Sequence, residues 1–323
     1  MKKIGVFCSG GDAPGMNAAL RAVVRRGIAK GLNIIAIYRG YQGIFDEAFE
    51  KMTPRSVGNI VQRGGTIIKT ARCEKFYKAE GVKEAAEILT KHNFDGLIAI
   101  GGDGTFRGLL ELEKVWKGQL IGIPGTIDND IFGTDYTIGF DTAIDTAIQM
   151  LDRIRDTAES HERVFVVEVM GRDAGFIALE VGIGAGAEEI LIPEIPVDLR
   201  AVATRVKEAR ERGKKSIILI VAEGVVNKNI FDFCAKLTSI PGLEFDTHIT
   251  SLGHVQRGGS PSALDRWLAT RLGAFSVDCI LEGHTGIMVG EQNNMLVRVP
   301  LEETQKKKPY DRFAYNLIYD LAI

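Results

Sequence analysis

The stretch GLIAIGGDGTF, residues 96–106, joins an apolar run of strand length to a glycine-rich turn and to the start of an amphipathic segment. Short apolar runs followed by amphipathic runs of helix length recur along the chain. Strands that alternate with helices in this way are typical of βαβ units and of a mainly parallel sheet covered by helices on both faces. The sequence therefore predicts an α/β fold.

The same pattern gives bounds for the individual elements. The predicted strands are residues 4–8, 33–38, 96–100, 120–124, 164–170, 189–192 and 216–222. The predicted helices are residues 16–30, 82–91, 106–116, 142–157, 200–212 and 263–282. Residues 295–300 follow Asn293-Asn294, and paired asparagines favour a tight hairpin turn, so we expect a second hairpin arm there.

Composition narrows the class of protein. The chain has 323 residues and a net charge of −2, which argues against a nucleic-acid binder that relies on a broad basic surface. No apolar run approaches the ~20 residues of a membrane helix, and the first residues show no signal-peptide pattern. The four cysteines have no zinc-type spacing. We therefore expect a cytoplasmic protein with reduced thiols and with no nucleic-acid or membrane partner.

Three glycine-rich turns follow predicted strands: SGGDAPG (9–15), GGDGT (101–105) and PGTIDND (124–130). Glycines let the backbone approach a phosphate, and the N–H groups at a helix N-terminus face an anion. The first turn does not match a Walker A loop. Ligands of open α/β sheets bind at the carboxyl ends of the strands, so we expect the three turns to meet there.

Each turn also has a reading without a ligand. The first is also explained as a tight turn, Asp103 as a helix N-cap, and the third as an Asx-rich turn. A carboxylate among three glycines instead suits Mg²⁺ with nucleotide phosphates, which assigns Asp103. Asp128 and Asp130 supply a general base and a second carboxylate that binds a metal or supports the base. We favour these functional readings because the three turns converge.

Charged residues downstream are candidates for anion binding. Arg163 precedes a predicted strand and Arg172 follows it, Glu223 ends another strand, and His254 and Arg257 lie in a glycine-rich segment. Arginines at strand ends suit bidentate contacts with phosphate, although a single one is more often a surface ion pair.

Other features are interpreted as ordinary structure. GIGAGA (182–187) follows a helical run rather than a strand, so it is not a dinucleotide fingerprint. His92, His161 and His284 have no partners at ligand spacing, and we interpret them as surface or satisfied polar residues. Lys306-Lys307-Lys308 is predicted to be a solvated surface turn.

Taken in order, SGGDAPGMNA (9–18), RGGT (63–66), GGDGT, PGTIDND, MGR (170–172), AEG (222–224) and GHVQRGG (253–259) resemble bacterial ATP-dependent 6-phosphofructokinases over nearly the whole chain. PGTIDND with GHVQRGG is specific, whereas NAD kinases and diacylglycerol kinases carry a stretch similar to GGDGT. The resemblance implies two doubly wound, mainly parallel α/β domains with the active site in the cleft between them. The nucleotide domain would span residues 1–138 and 253–303, and the sugar-phosphate domain residues 139–252 and 304–323.

The resemblance further implies an allosteric homotetramer that transfers the γ-phosphate of ATP, with Mg²⁺, to the 1-hydroxyl of fructose 6-phosphate. Asp128 would be the base, with Gly11, Arg72 and Thr126 at the transferring phosphoryl group. The nucleotide would contact Gly11, Tyr41, Arg72, Cys73, Phe76, Gly102, Asp103, Gly104 and Thr105, with Asp103 on the metal. The sugar phosphate would contact Thr126, Asp128, Asp130, Met170, Gly171, Arg172, Glu223, His248, His254 and Arg257, and also Arg163 of a neighbouring subunit. ADP or phosphoenolpyruvate would bind at Arg21, Arg25, Arg55, Arg155, Glu188, Arg212 and Lys214.

Three positions bear on the substrates. Pyrophosphate-dependent relatives tend to carry Asp and Lys where this chain has Gly104 and Gly125, so the chain is predicted to use ATP. His248 stands where the family usually has an arginine that binds the sugar's 6-phosphate across a subunit interface. The alternatives are a pyrophosphate-dependent enzyme, a kinase of another ketose phosphate, a NAD- or lipid-kinase-like protein, and a sugar-phosphate sensor without activity.

Overall fold

The computed structural model of the chain describes residues 1–161, 163–226, 229–241 and 246–322. The chain divides into two units. The first consists of Met1–Thr142 and Arg257–Lys308, and the second of Ala143–Gln256 and Pro309–Ile323. The sequence placed the three crossings four or five residues earlier, at 138, 252 and 303.

The described strands, in chain order, are β1 (Lys3–Cys8), β2 (Asn33–Ile37), β3 (Phe49–Lys51), β4 (Gly96–Gly101), β5 (Gln119–Pro124), β6 (Val164–Val169), β7 (Glu189–Leu191), β8 (Ile217–Ala222), β9 (Thr247–Ser251), β10 (Ile287–Gln292) and β11 (Met295–Pro300). The described helices are α1 (Met16–Ala29), α2 (Gln42–Phe45), α3 (Ala79–Lys91), α4 (Asp103–Glu113), α5 (Phe140–His161), α6 (Phe176–Gly184), α7 (Leu199–Glu211), α8 (Ile230–Thr238), α9 (Ala263–Leu281) and α10 (Arg312–Leu321). None of these helices is long and apolar enough to cross a membrane.

The first unit is built on a seven-stranded sheet with the order β11-β10-β5-β4-β1-β2-β3. Its inner strands are parallel, and β3 and β11 join the two edges antiparallel. β4 is buried along its whole length, which explains its continuous apolar sequence, because a strand covered on both faces needs no polar alternation. The central glycine turn therefore lies at the end of a strand in the middle of the core.

The predicted hairpin is confirmed at one edge of this sheet. β10 pairs antiparallel with β11, with Gln292 opposite Met295. Asn293 and Asn294, the two residues between them, have φ angles of 49° and 64°. Two consecutive left-handed residues define the tight turn whose twist matches paired strands, and asparagine tolerates that conformation better than most residues.

A buried carboxylate anchors the start of α5 within the first unit. Asp265, on α9, accepts hydrogen bonds from the backbone N–H groups of Gly139 at 2.7 Å and of Thr142 at 2.8 Å. Burial raises the pKa of Asp265 to about 6, although these hydrogen bonds oppose the rise. Asp265 thus fixes the chain where α5 begins.

The second unit is built on a four-stranded parallel sheet with the order β7-β8-β6-β9. β8 is buried at every position, and its apolar side chains pack with those of α7 and α8 in one core. Asp198 caps α7, and its side chain accepts from the N–H of Arg200 at 2.9 Å. The parallel strands again direct the turns that follow them to one edge of a sheet.

Candidate active site

The three glycine-rich turns meet at the carboxyl edge of the first sheet, as expected. They follow β1, β4 and β5, which are neighbours in the sheet. The N–H of Ser9 donates to the Ile100 carbonyl oxygen at 3.0 Å, and the N–H of Gly125 donates to that of Gly101 at 2.9 Å. Backbone hydrogen bonds therefore connect the three turns at the points where they leave their strands.

Arg257 lies against the first of these turns. Its Nη1 donates to the Asp12 carbonyl oxygen at 3.2 Å. A Cβ atom on Gly11 would clash with the same nitrogen, so any side chain at that position would displace the guanidinium. Gly11 is thus required for a close approach that brings an arginine next to the turn. The structure joins two residues that are far apart in sequence and that both belong to the predicted site.

Asp103 is the first residue of α4, and Gly102 rather than Asp103 is the N-cap. The N-cap interpretation of Asp103 is therefore wrong. The Asp103 carboxylate instead forms an ion pair with Arg107, one turn along the same helix. Gly104 follows, and a Cβ atom built there would meet nothing within 4 Å. Open space and helix N–H groups beside a carboxylate are what an approaching phosphate and its cation need.

The loop after β5 holds Asp128 in a buried position. Asp128 is 3% exposed, and its N–H donates to Thr126 Oγ1 at 3.2 Å. Asn129, with φ of 51°, accepts from the N–H of Thr137 through Oδ1 at 3.0 Å. The Thr137 hydroxyl in turn donates to the Thr126 carbonyl oxygen at 2.6 Å. The Asn129 side chain thus reaches eight residues along the chain rather than forming a local Asx turn, and together with Thr126 it fixes the position of Asp128.

The predicted nucleotide contacts include a packed aromatic pair. Tyr41 stacks on Phe76 with centroids 4.0 Å apart, and its hydroxyl donates to the Thr105 carbonyl oxygen at 2.6 Å. Both rings are buried, so Tyr41 supports the start of α4 rather than offering a free face to a base. Burial raises the pKa values of Tyr41 and of the nearby Cys73 above their usual range. Arg72, beside Cys73, is exposed.

The carboxylates suit a metal that arrives with the nucleotide. Among the residues that the structure describes, no group of three or more His, Cys, Asp and Glu side chains is placed to hold a metal ion. Mg²⁺ commonly binds through one or two carboxylates together with substrate phosphates and waters. Asp103, beside the open space at Gly104, fits that mode. Among the described residues, Asp103 therefore fits a metal ion that is bound mainly through a phosphorylated substrate and water.

Within the second unit, the ends of β6 and β8 form another group of site candidates. Glu223 Oε1 accepts from the N–H groups of Gly171 at 3.2 Å and of Arg172 at 2.5 Å. Arg172 has φ of 55°, a strained value that this carboxylate helps to hold. The buried Gln256, which the sequence analysis missed, accepts from the N–H of Met170 at 3.4 Å. Glu223 and Gln256 thus fix the turn that carries Met170 and Arg172.

Arg163 and His248 lie elsewhere on that sheet. Arg163 precedes β6, and His248 pairs with Phe165 near the start of β6. They are therefore at the amino end of a six-residue strand whose carboxyl end leads to Met170. At about 3.3 Å per residue, the two ends of β6 are roughly 17–20 Å apart. The structure does not bring Arg163 and His248 together with Arg172 within one chain.

Asp246 joins these two residues. Its carboxylate lies 2.8 Å from Arg163 Nε through Oδ2 and 3.2 Å from His248 Nε2 through Oδ1. Hydrogen bonding with His248 and then with Arg163 holds the pKa of Asp246 below its usual range. The His248 ring also stacks on Phe165, with centroids 5.3 Å apart. The side chains of Arg163 and His248 thus form one cluster around an exposed carboxylate.

The predicted effector residues fall in both units. Arg21 and Arg25 lie four residues apart on α1, and Arg55 follows β3 in the same unit. Residues four apart on a helix share one face, which agrees with the expected pairing of these arginines.

The remaining effector residues belong to the second unit. Glu188 and Lys214 line a cleft of about 440 Å³, and Lys214 Nζ lies 3.5 Å from Glu188 Oε1. Arg212 lines an adjoining cavity of about 200 Å³, together with Glu188. Arg155 donates to the Gly186 carbonyl oxygen at 2.8 Å. The cleft therefore combines two cations, Lys214 and Lys215, with two carboxylates, Glu159 and Glu188. Such a mixed set suits an anionic ligand that carries its own cation.

Most of the residues interpreted as ordinary structure agree with that interpretation, and Lys308 does not. Residues 182–187 fall at the end of α6 and just beyond it, and His92 and His284 lie 2.7 Å and 3.3 Å from Glu47 and Glu282, in agreement with the prediction. The side chain of His161 lies outside the described part of the chain. The prediction of a solvated turn was wrong for Lys308, because this residue is half-buried and its ammonium group donates a hydrogen bond to Asn129.

A family model described as Phosphofructokinase matches residues 3–280. The chain belongs to the phosphofructokinase family. It is 52% identical to the ATP-dependent 6-phosphofructokinase 1 of Thermus thermophilus and 47% identical to the ATP-dependent 6-phosphofructokinase of Staphylococcus epidermidis, each over 100% of both chains.

Solved phosphofructokinase structures share the fold. That of Saccharomyces cerevisiae superposes with a TM-score of 0.87 at 38% identity, over 100% of this chain and 48% of the yeast chain. A pyrophosphate-dependent phosphofructokinase of Marinobacter aquaeolei gives a TM-score of 0.84 at 22% identity, over 100% of this chain and 92% of the other. Membership of the phosphofructokinase family removes the NAD- and lipid-kinase alternative, which rested on GGDGT alone.

Proposed function

We propose that the chain transfers the γ-phosphate of ATP to the 1-hydroxyl of fructose 6-phosphate, giving fructose 1,6-bisphosphate and ADP. The observation that carries the proposal is the buried Asp128, fixed by its loop at the edge where the three glycine turns meet. The curated relatives that match over the full length are named for this ATP-dependent activity. This activity places the enzyme in glycolysis. We propose the cytoplasm as its location.

The proposed reaction is an in-line transfer. The Asp128 carboxylate accepts the proton of the 1-hydroxyl as that oxygen attacks the γ-phosphorus, and the bond from phosphorus to the β–γ bridging oxygen breaks. Arg72 and the backbone N–H groups of the glycine turns face the transferring group, where charge spreads over its oxygens. Mg²⁺ held by ATP and Asp103 supplies further neutralisation when it is bound. The proton then passes from Asp128 to solvent.

A coupled assay tests this function directly. Purified protein is supplied with ATP or pyrophosphate and with a panel of ketose phosphates. The proposal expects turnover with ATP, and with fructose 6-phosphate as the preferred acceptor. A clear preference for another ketose phosphate would instead support the second candidate function, for which His248 is the specific observation.

We propose that the enzyme is a homotetramer in which Arg163 and His248 serve the site of a neighbouring copy. Their position at the amino end of β6, roughly 17–20 Å from the turn at Met170, supports this arrangement. Within one chain, the pair Arg163 and His248 is too far from the turn at Met170 for both to contact the same sugar phosphate. A symmetric partner can bring its own Arg163 and His248 to that turn. A mass of four chains in light scattering is the expected result, and a stable monomer with full activity would contradict it.

His248→Arg is expected to bind fructose 6-phosphate more tightly and with a flatter pH profile than the parent. A guanidinium is charged throughout and grips phosphate with two hydrogen bonds, whereas histidine side chains commonly lose their charge near pH 6.5. Weakening one charge-assisted hydrogen bond to the phosphate reduces affinity by about tenfold. The measurement is the apparent affinity for fructose 6-phosphate between pH 6 and 8.

The substrate's own phosphate also titrates near pH 6, so the comparison of the two proteins carries the result. Both face the same substrate ionisation, and in both Asp246 competes with the phosphate for the side chain at this position. Parallel pH profiles with equal affinity would show that His248 does not contact the phosphate.

Arg25→Ala is expected to abolish the effects of ADP and phosphoenolpyruvate while leaving unregulated turnover intact. We propose that Arg25 and Arg21 meet the anionic effector, because clustered cations suit a phosphorylated ligand. The matched control is Arg26→Ala, on the same helix, whose guanidinium pairs with Asp278 at 2.9 Å. Turnover is measured at limiting fructose 6-phosphate with and without effector. An unchanged effector response in Arg25→Ala would remove this residue from the site.

A further inference from the structure

The lysine segment 306–308 lies along the loop that carries Asp128. The backbone of Lys307 forms an isolated antiparallel bridge with Ile131. Beyond it, Lys308 Nζ donates to Asn129 Oδ1 at 3.0 Å and to the Asp135 carbonyl oxygen at 2.8 Å. One ammonium group therefore links two points of the loop that are six residues apart.

The contact of Lys308 with Asn129 affects the catalytic loop, because Asn129 is the residue next to the proposed base. Asn129 lies between Asp128 and Asp130, is 4% exposed, and has a left-handed backbone. Its Oδ1 accepts hydrogen bonds from both Lys308 and the N–H of Thr137. A left-handed non-glycine residue is held by its surroundings, and these two donors supply that hold.

The hydrogen bonds continue to the base itself. The Thr137 hydroxyl donates to the Thr126 carbonyl oxygen at 2.6 Å, and Thr126 Oγ1 accepts from the N–H of Asp128 at 3.2 Å. Lys308, Asn129, Thr137 and Thr126 thus form a continuous series that ends at the backbone of Asp128. A change at Lys308 therefore alters the hydrogen bonding that holds the backbone of Asp128.

The three lysines are not equivalent. Lys308 is half-buried, whereas Lys306 and Lys307 are exposed. Lys306 Nζ lies 3.4 Å from Glu303, in the same turn. Burying part of a lysine side chain is unfavourable unless its ammonium group is hydrogen-bonded, so the contacts of Lys308 with Asn129 and Asp135 are a specific arrangement rather than a solvated charge. Lys307 accordingly offers a control of identical chemistry in the adjacent position.

We propose that Lys308 is a positioning residue for phosphoryl transfer, which holds the catalytic loop in the geometry that aims Asp128 at the sugar hydroxyl. The inference rests on the proposed role of Asp128 as base. Lys308 acts through Asn129 and does not need to touch either substrate.

Lys308→Met tests the proposal because it keeps most of the side-chain length and removes the donor. The expected result is a fall in kcat of about tenfold, the size of one charge-assisted hydrogen bond, with KM for ATP unchanged. Lys308→Arg, which restores a charged donor, should recover most of the activity, and Lys307→Met should behave as the parent. If Lys308→Met does not fold, Lys308→Gln carries the same prediction. Equal kcat in Lys308→Met and Lys307→Met would overturn it.

A double-mutant cycle separates positioning of the base from general support of the fold. In an Asp128→Asn background, Lys308→Met should have little further effect on the residual rate, because the group that Lys308 positions is gone. The same fractional loss in both backgrounds would overturn the proposal and indicate a fold-wide effect. Should Asp128→Asn alone keep normal turnover, the base assignment fails, and with it the premise of the cycle. The kcat values of the Lys308 single variants would still show whether Lys308 supports turnover.

Discussion

Asp128→Asn is expected to lower kcat by about 10²–10⁴-fold, the usual contribution of a general base. The substitution preserves shape and removes basicity. The backbone N–H of residue 128 still donates to Thr126 Oγ1, and the hydrogen bonds of Asn129 are untouched, so the loop is expected to keep its conformation. Binding of fructose 6-phosphate should therefore change little. The measurement is steady-state kinetics together with equilibrium binding of the sugar phosphate.

A matched control lies at the opposite edge of the same sheet. Asp95, which follows α3 and precedes β4, accepts from the backbone N–H of Lys3 at 2.6 Å. Asp95→Asn makes the same chemical change away from the glycine turns and should leave kcat within about twofold, as surface substitutions usually do. Near-normal turnover in Asp128→Asn would show that another group accepts the proton.

Gly104→Asp is expected to reduce kcat/KM for ATP by about 100-fold without loss of stability, because a carboxylate placed against a phosphate costs several kcal/mol. A Cβ atom at residue 104 meets nothing within 4 Å, and Gly104 is not among the glycines with positive φ. Aspartate is also favourable in the first turn of a helix, whereas glycine there is unfavourable. The fold therefore gives no reason for a glycine at this position. We propose that the space is kept for the α-phosphate of the nucleotide.

Gly104→Ala separates bulk from charge. It fills the same space without a carboxylate, so its loss of ATP turnover should be smaller, and its melting temperature should equal or exceed that of the parent. The parent should show negligible activity with pyrophosphate, consistent with glycine at both Gly104 and Gly125. Faster turnover with pyrophosphate, or full ATP activity in Gly104→Asp, would contradict the assignment of this space to the nucleotide.

The sequence predicted the central strands and the edge of the sheet at which the candidate site lies. β4 and β5 have continuous apolar sequences because both of their faces are covered, and a glycine turn marks the end of each. The Asn293-Asn294 turn could also be predicted, because its left-handed backbone conformation restricts which residues fit there. These features depend on a few neighbouring residues, which a single sequence displays directly.

Other elements left weaker signals. β9 is half-buried and mixes Thr, His and Ser with one Ile, so it lacks an apolar run. α8 and α10 were missed, although Asn229 and Asp311 cap them with side-chain hydrogen bonds and could have marked their starts. The role of Lys308 had no local signal, because its partner Asn129 is distant in sequence and a run of lysines is usually solvated.

The division of the chain also has a consequence for its synthesis. Strand β5 sits between β4 and β10, yet β10 leaves the ribosome only after the whole of residues 143–256. At roughly 5–20 residues per second, translation from Pro124 to Ile287 takes on the order of ten to thirty seconds. During that time a strand whose last five residues are all apolar has an open edge, a feature that favours aggregation of a nascent chain. A requirement for chaperones during production in cells would follow from the order of the strands rather than from weak stability of the finished enzyme.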